Sequence, residues 1–308
     1  AGGGHRGGSA MKRAAFLGTG LMGAPMARHL AARLDVTVWN RNPARAAALR
    51  DVARVAATPA EAAAGADLVI AMLLDGPVTE DVLCAGGAIA AAAPGALIVN
   101  MGSTEPDCDR RLAAHAERLG KRFLDAPVSG GVKGAEAASL AIFAGGSAAD
   151  FAAARPLLEV FGRPTHMGPV GTGQVAKLAN QLIVATTIGA VAEAFHLAES
   201  AGCSAATLRE ALRGGFADSR ILDLHGARMV AGDYVPGGRA AAQLKDLHNV
   251  LNTARQSGLR LNLAETVTAG FADLVGRMGG ADLDHAAYYL WLQSQEREDH
   301  APDQINQS

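Results

Sequence analysis

Short runs rich in apolar and β-branched residues recur through the first half of the chain, at positions 13–17, 36–39, 67–73, 96–100 and 122–125. The run at 67–73 is apolar after its first residue, which is typical of a parallel strand buried on both faces. Alanine-rich helical patterns lie between these runs, and Pro43 stands where a helix would begin. The alternation predicts an α/β fold with a doubly wound parallel sheet and right-handed crossovers.

The pattern changes after Gly173, where strand signals almost disappear and helical periodicity continues to about residue 298. The most apolar stretch, 178–198, is nearly long enough to span a membrane. Polar and charged residues interrupt it at Asn180, Gln181, Glu193 and His196. We therefore predict a buried interdomain or interface helix within an all-α C-terminal domain, and no membrane partner.

Three segments result from these patterns. Residues 1–10 are glycine-rich and lack an apolar run, so we interpret them as an expression tag or disordered tail that precedes a start at Met11. Residues 11–171 form the predicted α/β domain. Residues 172–308 form the predicted all-α domain, which begins with the long interdomain helix and serves substrate binding and oligomerisation. The last residues, 301–308, are expected to fray.

Composition narrows the classes of function. Charged residues make up 19% of the 308 positions and the formal net charge is −2, which argues against nucleic acid as a partner. The three cysteines are widely spaced and form no metal-binding pattern such as CxxC, so we predict no metal site and free thiols in a reducing cytoplasm. Because the long helix is apolar around much of its circumference, we expect a homodimer or homotetramer.

A glycine-rich loop, Gly18-Thr19-Gly20-Leu21-Met22-Gly23, follows the first predicted strand and opens a helix. In a dinucleotide-binding loop of the Rossmann type, the first glycine allows the tight turn and the second lets the backbone approach the pyrophosphate. The third lets helix and strand pack closely, and the helix N-terminus faces the anion. A glycine-rich turn alone would be a weak signal. In this context the predicted cofactor-binding residues are Gly18, Gly20, Leu21, Met22 and Gly23.

Cofactor preference is set about 20 residues past the loop, where an acidic residue would bind the ribose 2′-hydroxyl and repel a 2′-phosphate. This chain has Asn40-Arg41-Asn42 there, with Arg45 about one helical turn later, and no carboxylate. Arg41 can pair with a 2′-phosphate while the two asparagines donate hydrogen bonds. We predict NADP rather than NAD; the alternative is that Arg41 is a solvated loop residue.

A second motif, Gly171-Thr172-Gly173-Gln174-Val175-Ala176-Lys177-Leu178-Ala179-Asn180-Gln181, begins the all-α half. It places Lys177 on the first turns of the long helix, and Asn180 and Gln181 on the same face three and four residues later. A lysine ammonium near a carbonyl can supply the proton that hydride reduction requires. The positive helix N-terminus favours the neutral amine that accepts the proton in reverse. On its own, such a lysine is more often a surface residue.

With these motifs the chain resembles the β-hydroxyacid dehydrogenases, the family of 3-hydroxyisobutyrate dehydrogenase and tartronate semialdehyde reductase. The resemblance runs from about residue 12 to about residue 295 and rests on four motifs: FLGTGLMGAPMA at 16–27, DAPVSGG at 125–131, the lysine motif at 171–181 and KDL at 245–247. Three segments are most similar to the tartronate semialdehyde reductase branch: KLANQ at 177–181, RGGF at 213–216 and YVPG at 234–237. Branches that act on other hydroxy acids, including a threonate dehydrogenase type, are also similar there.

The resemblance implies roles for particular residues. The expected catalytic residue is Lys177. The expected substrate-binding residues, which offer a hydroxyl, amides and backbone N–H groups suited to a carboxylate, are Ser129, Gly130, Gly131, Asn180 and Gln181. A Ser-Gly-Gly sequence alone is more often a simple turn. Further cofactor contacts are expected at Leu73, Leu74, Ser103, Lys245 and Asp246.

The chain also departs from the family pattern. Asn40 stands where many relatives have aspartate, and residues 100–103 are NMGS instead of the usual Asp-x-Ser-Thr. Gln181 stands where asparagine is common, and Asn262 stands where proline is common. These departures bear on cofactor and substrate preference rather than on the class of reaction.

The resemblance implies an NADP(H)-dependent oxidoreductase that interconverts a small 3-hydroxy acid and its 3-oxo acid or semialdehyde, with Lys177 as general acid and base. A small carboxylate substrate is the expected partner. An imine reductase is the first alternative, but those relatives generally replace the lysine. A non-catalytic dinucleotide-binding interaction module is the second, but such family members lose the lysine and gain basic tails.

Overall fold

The computed structural model describes residues 11–299, with side chains to residue 295. The predicted tail at 1–10 and the predicted fraying at 301–308 lie outside the described residues. The chain forms two compact units that divide between Lys177 and Leu178. The first is an α/β unit and the second is helical.

The first unit is built on one sheet. Its strands, within the described residues, are β1 Arg13–Leu17, β2 Asp35–Trp39, β3 Arg54–Val55, β4 Leu68–Ala71, β5 Leu97–Asn100, β6 Arg122–Asp125, β7 Val128–Ser129, β8 Leu140–Gly145 and β9 Gly162–Gly168. They lie in the order β3-β2-β1-β4-β5-β6-β8-β7, with β9 paired to β8. The ladders from β3 to β6 are parallel, and the strand order switches direction between β1 and β4, as in a doubly wound sheet.

Helices cover both faces of this sheet. They are α1 Gly23–Ala31, α2 Pro43–Ala47, α3 Pro59–Ala63, α4 Gly76–Glu80 with a π-turn at Asp81–Ala85, α5 Ala88–Ala91, α6 Pro106–Arg118, α7 Gly131–Glu136 and α8 Ala148–Leu158. Because side chains alternate along a strand, β1 supplies two cores: Phe16 packs in one and Leu17 in the other. Burial on both faces explains why β4 and β5 consist almost entirely of apolar residues.

The predicted fold class is confirmed. The predicted strands correspond to β1, β2, β4, β5 and β6, with ends that differ by no more than two residues. The sequence pattern does not predict β3, β7, β8 or β9, and β8 runs antiparallel to β6 and β7. β3 and β7 have two residues each, and β9 contains glycine and proline, which are depleted in strands. Pairing with neighbouring strands, rather than local propensity, makes these segments extended.

The second unit consists of helices, as the sequence predicts. They are α9 Thr172–Ser200, which begins in the first unit, α10 Ala205–Leu212, α11 Arg220–Ala231, α12 Ala240–Gln256, α13 Asn262–Gly276 and α14 Tyr288–Asp299, with a 3-10 turn at His285–Ala287. Serine side chains start two of them: Ser204 caps α10 and Ser219 caps α11 by accepting backbone N–H hydrogen bonds.

The long apolar helix α9 has the length and hydropathy of a membrane span, with 33% of its most apolar window buried. Its buried stripe at helical spacing consists of Ala185, Ile188, Ala192 and Phe195. This stripe packs with Leu222 of α11, Leu247 of α12 and Phe271 of α13. Such packing identifies α9 as a core helix of the helical unit.

Candidate active site

The loop after β1 has the geometry of a dinucleotide-phosphate loop. Gly18 adopts φ +101°, and a side-chain carbon there would lie 2.3 Å from the carbonyl oxygen of Met72. At Gly23 a side-chain carbon would lie 1.9 Å from the Gly18 carbonyl oxygen, so only glycine lets α1 start this close to β1. Among the described side chains none caps the start of α1, and its first turn contains no acidic residue. The positive end of α1 is therefore not compensated by a described side chain and suits an anion.

Asn40 shapes this loop from the end of β2. Its Oδ1 accepts a hydrogen bond from Thr19 N at 3.0 Å, and its Nδ2 donates to Asn42 O at 3.0 Å. The Asn42 side chain in turn accepts from Ala44 N at 3.1 Å and caps α2. Both asparagines, which the sequence assigns to the cofactor, thus hold the backbone beside the glycine loop.

The two arginines that the sequence assigns to a 2′-phosphate are exposed at the same place. The guanidinium of Arg45 lies beside Gly20, where a side-chain carbon would stand 3.8 Å from its Nη1. Arg41 directly follows Asn40. Within the loop itself, Leu21 is exposed and Met22 is half-buried. Positive charge at the end of β2 is therefore brought next to the glycine loop.

The loop after β4 also reaches the glycine loop because β4 lies directly beside β1, and the loop after β5 lies next to the loop after β4. The Leu73 side chain lies against Gly18, where a side-chain carbon would stand 3.0 Å from it, and Leu74 is exposed. Gly102, which precedes the half-buried Ser103, packs on the Leu73 backbone. The predicted cofactor residues of the first unit therefore share the carboxyl edge of the sheet, where doubly wound α/β proteins bind nucleotides.

The buried carboxylate of Asp125 holds the start of α9. Asp125 ends β6 and is fully buried. Its Oδ1 accepts from Gly171 N at 2.7 Å, and its Oδ2 accepts from Gln174 N at 2.9 Å. An anion on the first N–H groups of a helix caps it and complements its dipole. Because Lys177 follows Gln174 by three residues on the same helix, this contact fixes the position of Lys177 relative to the sheet.

The side chain of Gln174 ties the same helix start to the loop after β5. It is fully buried; its Oε1 accepts from Thr104 N at 3.1 Å, and its Nε2 donates to Gly102 O at 2.9 Å. These two bonds bracket Ser103. The helix that carries Lys177 is thus attached to a loop at the predicted nucleotide edge.

A second buried acid, Asp109 on α6, lies beneath this loop. Its Oδ1 accepts from Asn100 Nδ2 at 2.8 Å, and its Oδ2 accepts from the Thr104 hydroxyl. Burial and the nearby charge of Asp125 raise the pKa of Asp109 to about 7. Burial also raises the pKa of Asp125, although backbone N–H groups favour its carboxylate form. Two acids therefore support the loop after β5, and their negative charges repel each other.

Sequence reasoning missed Thr104 and Asp109, and it used Asp125 and Gln174 only as parts of motifs. An acid as the last residue of a short buried strand was the available signal for Asp125, because a charge in that place needs partners. Asp109 occurs in the segment PDCDRR, and nothing local distinguishes it from the half-exposed Asp107 two residues earlier. Its burial is visible only in the fold.

The predicted substrate loop lies between β7 and α7. Ser129 ends β7 and pairs with Ala141 of β8, and it is half-buried. Gly130 and Gly131 are exposed, with φ of +142° and +63°, and α7 begins at Gly131. The loop therefore presents a hydroxyl beside backbone that carries no side chain.

Four further predicted site residues come together in the helical unit. Gln181 Nε2 donates to Asp246 Oδ2 at 2.7 Å, and Asn180 Nδ2 donates to Gln181 Oε1 at 3.0 Å. Lys245 Nζ lies 3.2 Å from Asp246 Oδ1. The Asp246 side chain is 8% exposed, so Lys245 and Gln181 offset the cost of burying its charge. The predicted site residues thus form one group at the sheet edge and one on α9 and α12.

Comparisons with known proteins bear on the class of this site. Residues 13–173 match a family model described as the NAD binding domain of 6-phosphogluconate dehydrogenase, and residues 171–292 match one described as "NAD-binding of NADP-dependent 3-hydroxyisobutyrate dehydrogenase". The 2-hydroxy-3-oxopropionate reductase of Escherichia coli K12 is 40% identical over 276 residues, which cover 88% of this chain and 94% of that protein. The chain belongs to the β-hydroxyacid dehydrogenase family. It is therefore an NAD(P)-dependent oxidoreductase that acts on the CH–OH group of a hydroxy acid.

Solved structures of relatives agree with the family assignment. A 3-hydroxyisobutyrate dehydrogenase from Mycobacterium tuberculosis, solved with L-serine, has a TM-score of 0.84 and 34% identity, over 92% of this chain and 99% of that one. An imine reductase from Streptomyces aurantiacus is less similar, with a TM-score of 0.58 and 26% identity over 92% of this chain and 99% of that one. The hydroxyacid dehydrogenase thus agrees with this fold better than the imine reductase does.

Replacing Asp125 with alanine (Asp125→Ala) should destabilise the first unit of this dehydrogenase, because two buried backbone N–H groups lose their acceptor. Each buried unpaired group costs about 1–3 kcal/mol, so the free energy of unfolding in urea should fall by at least about 2 kcal/mol. The matched control is Asp107→Ala, whose half-exposed pair with Arg110 should contribute about 1 kcal/mol or less. Equal stabilities of the two variants would contradict the capping role.

The stability of the dehydrogenase should depend on pH through Asp109. Its pKa is raised from 3.8 to about 7 in the folded protein, so the folded state binds this proton more tightly than the unfolded chain does. Protonated Asp109 therefore stabilises the folded state. Its contribution to the free energy of unfolding is fully present below about pH 4 and is lost as the pH rises to about 7.

An Asp109→Asn variant keeps the shape of the side chain and removes its charge. The free energy of unfolding of this variant, relative to that of wild type, should therefore rise with pH. The expected rise is about 1.4 kcal/mol per pH unit between about pH 4 and about pH 7. Urea titrations at several pH values measure the difference. A difference that stays constant over this pH range would show that Asp109 does not titrate within it.

Proposed function

We propose that this dehydrogenase is an NADP(H)-dependent reductase of a small 3-oxo acid or semialdehyde, and that in reverse it oxidises the 3-hydroxy acid. The main support for the proposal is the position of Lys177. This position is fixed because Asp125 and Gln174 attach the start of α9 to the sheet edge and to the loop after β5. The name of the Escherichia coli relative, 2-hydroxy-3-oxopropionate reductase, supports a substrate of this size.

The first unit fits a dinucleotide. Gly18 and Gly23 let the glycine loop and the start of α1 pack closely where any side chain would clash with the backbone. The positive end of α1, which no described side chain caps, suits a pyrophosphate. A nicotinamide dinucleotide held there would supply hydride-transfer chemistry at the carbon that carries the substrate oxygen. The chain's own groups bind the cofactor and substrate, orient them and move the proton.

Lys177 Nζ is the group to which we assign the proton. Hydride addition to a carbonyl leaves an alkoxide that must be protonated, and an ammonium beside the oxygen both polarises the carbonyl and supplies the proton. In the oxidative direction the neutral amine accepts the proton of the hydroxyl. Asn180 and Gln181 lie on the same face of α9, and their amides are oriented through Asp246, which suits them to bind a substrate oxygen.

The end of β2 favours NADP over NAD. This segment carries Arg41 and Arg45 and no carboxylate, and Arg45 lies beside the glycine loop. An arginine fork binds a phosphate through two parallel hydrogen bonds, whereas a ribose 2′-hydroxyl offers it no charge to pair with. The charge at this place therefore matches a 2′-phosphate.

The Ser129–Gly131 segment is the part of the first unit that best suits the substrate carboxylate. It combines the hydroxyl of Ser129 with the exposed backbone of two glycines. The Mycobacterium tuberculosis relative was solved with L-serine, a molecule that has both a carboxylate and a 3-hydroxyl group. A substrate with the same two groups agrees with the proposed reaction.

A panel of three- to five-carbon semialdehydes and hydroxy acids, assayed with NADPH and with NADH, tests this function. We expect fastest turnover with 2-hydroxy-3-oxopropionate or a close analogue and with NADPH. Cyclic imines serve as the comparison class. Turnover of imines without turnover of any oxo acid would replace the proposal with an imine reductase.

Lys177→Ala should lower kcat by about 10²–10⁴-fold, since that is what a positioned general acid contributes. The dissociation constant of NADPH should change little, because the glycine loop and the end of β2 remain. The matched control is Lys12→Ala, whose exposed side chain lies outside the site and should leave kcat unchanged. A Lys177→Ala enzyme that keeps a tenth or more of the wild-type turnover would exclude this role.

Arg41→Ala should weaken NADPH binding about 10- to 150-fold, because a charge-assisted hydrogen bond to phosphate contributes about 1.5–3 kcal/mol. NADH binding should be nearly unchanged. Parallel fluorescence titrations of both cofactors measure this, with Arg50→Ala, another exposed arginine of the region, as the control. Tighter binding of NADH than of NADPH by wild type would refute the cofactor preference.

We also propose that the dehydrogenase is a homodimer or homotetramer that associates through its helical unit. Large apolar side chains there are exposed in the single chain: Ile183 at 65%, Leu197 at 71% and Leu263 at 74%. Contact with a second copy would remove such surface from water. Light scattering at micromolar concentration should give at least twice the chain mass of 31.4 kDa, and a value near that of one chain would reject the proposal.

A further inference from the structure

Three side chains that the proposed function does not use meet in the helical unit. His225 lies on α11, and Asp284 and His285 lie at the 3-10 turn before α14. One ring nitrogen of each histidine and one oxygen of the carboxylate lie within 4.8 Å of one another. Two imidazoles and a carboxylate are a donor set typical of zinc and other first-row transition metals, whereas calcium and magnesium prefer oxygen alone.

The carboxylate of Asp284 is fully buried and firmly oriented. Its Oδ2 accepts from Gly237 N at 2.9 Å and from Gly238 N at 3.0 Å, and its Oδ1 accepts from Ala286 N at 3.0 Å. Oδ1 also faces His225 Nδ1. Hydrogen bonds of this kind hold the carboxylate ligands of metal sites in place.

The two imidazoles lie edge to face, with ring centroids 4.4 Å apart. The Nδ1 atom of His225 is buried and has no hydrogen bond to any described residue. His285 Nδ1 lies 3.4 Å from Gln243 Oε1. A ring whose Nδ1–H donates to such an oxygen presents its lone pair at the other nitrogen, which is how metal-bound histidines are usually supported.

The distance between His225 Nδ1 and Asp284 Oδ1 suits two ligands of one ion. Ligand atoms about 2.0–2.1 Å from a tetrahedral zinc ion stand about 3.3–3.4 Å apart, and the observed separation is 3.4 Å. A direct hydrogen bond between them would favour a separation of about 2.9 Å. We propose that His225, Asp284 and His285 bind one zinc ion or a similar divalent transition metal, with water in the remaining position.

Arg228 is the cation whose charge most directly opposes a metal ion here. Its Nη1 approaches Asp284 at 3.6 Å, but it does so at Oδ2 rather than at the oxygen that faces His225. The same guanidinium also lies 3.8 Å from Asp233 and donates to Val235 O. Its charge is therefore shared with an acid outside the cluster. A bound ion would link α11 to the segment before α14 and so stabilise the helical unit.

Titration calorimetry of the metal-stripped protein with zinc chloride tests the site. We expect one saturable ion per chain, with an affinity that falls at least about tenfold in His225→Gln and in His285→Gln. The control is His248→Gln, an exposed histidine of α12 outside the cluster, which should bind zinc as wild type does. No saturable binding by wild type, or wild-type affinity in both cluster variants, would overturn the proposal.

Anomalous diffraction from zinc-loaded wild-type crystals gives an answer that does not depend on whether the variants fold. The expected result is a zinc peak within bonding distance of His225, Asp284 and His285. A peak only at other histidines, or no peak, would overturn the proposal. Neither measurement uses a nucleotide or a hydroxy acid, so their outcome is independent of the proposed dehydrogenase reaction.

Discussion

The buried contact between Asp125 and the start of α9 is the interaction on which the rest of the candidate site depends. One carboxylate accepts hydrogen bonds from two backbone N–H groups that a helix start would otherwise leave unpaired. The residue it binds, Gln174, uses its own side chain to hold Thr104 and Gly102. The end of β6, the loop after β5 and the helix that carries Lys177 are thereby joined through a single anion.

This arrangement has an electrostatic cost. Asp109 supports the same loop from below, and burial together with the charge of Asp125 raises its pKa to about 7. Hydrogen bonds from Asn100 and Thr104 offset part of that cost. Two acids buried near each other lower stability, which is common where the positions of functional groups take precedence over stability. In the helical unit, by contrast, the buried negative charge of Asp246 is paired with the positive charge of Lys245.

The sequence predicts those parts of the molecule in which a local pattern decides the structure. Continuous apolar runs identify β4 and β5, and glycine spacing identifies the loop after β1, because both follow from contacts within a few residues. β8 and β9 are not predicted, since their extended form depends on pairing between distant segments. Asn40 is assigned to the cofactor from its position, yet its amide also binds the Thr19 backbone, and the burial of Asp109 leaves no local signal at all. Nor does cysteine spacing reveal a cluster such as His225, Asp284 and His285, whose members come together only through tertiary packing.

The role of Lys177 is tested most directly by a crystal structure of the enzyme with NADP⁺ and a bound 3-hydroxy acid. With the helix start held by Asp125, Lys177 Nζ should lie about 2.6–3.2 Å from the substrate hydroxyl oxygen, within hydrogen-bond reach. Asp125 should remain bound to the N–H groups of Gly171 and Gln174. A hydroxyl oxygen bound by another side chain, with Nζ turned away from it, would contradict the assignment of the proton to this lysine.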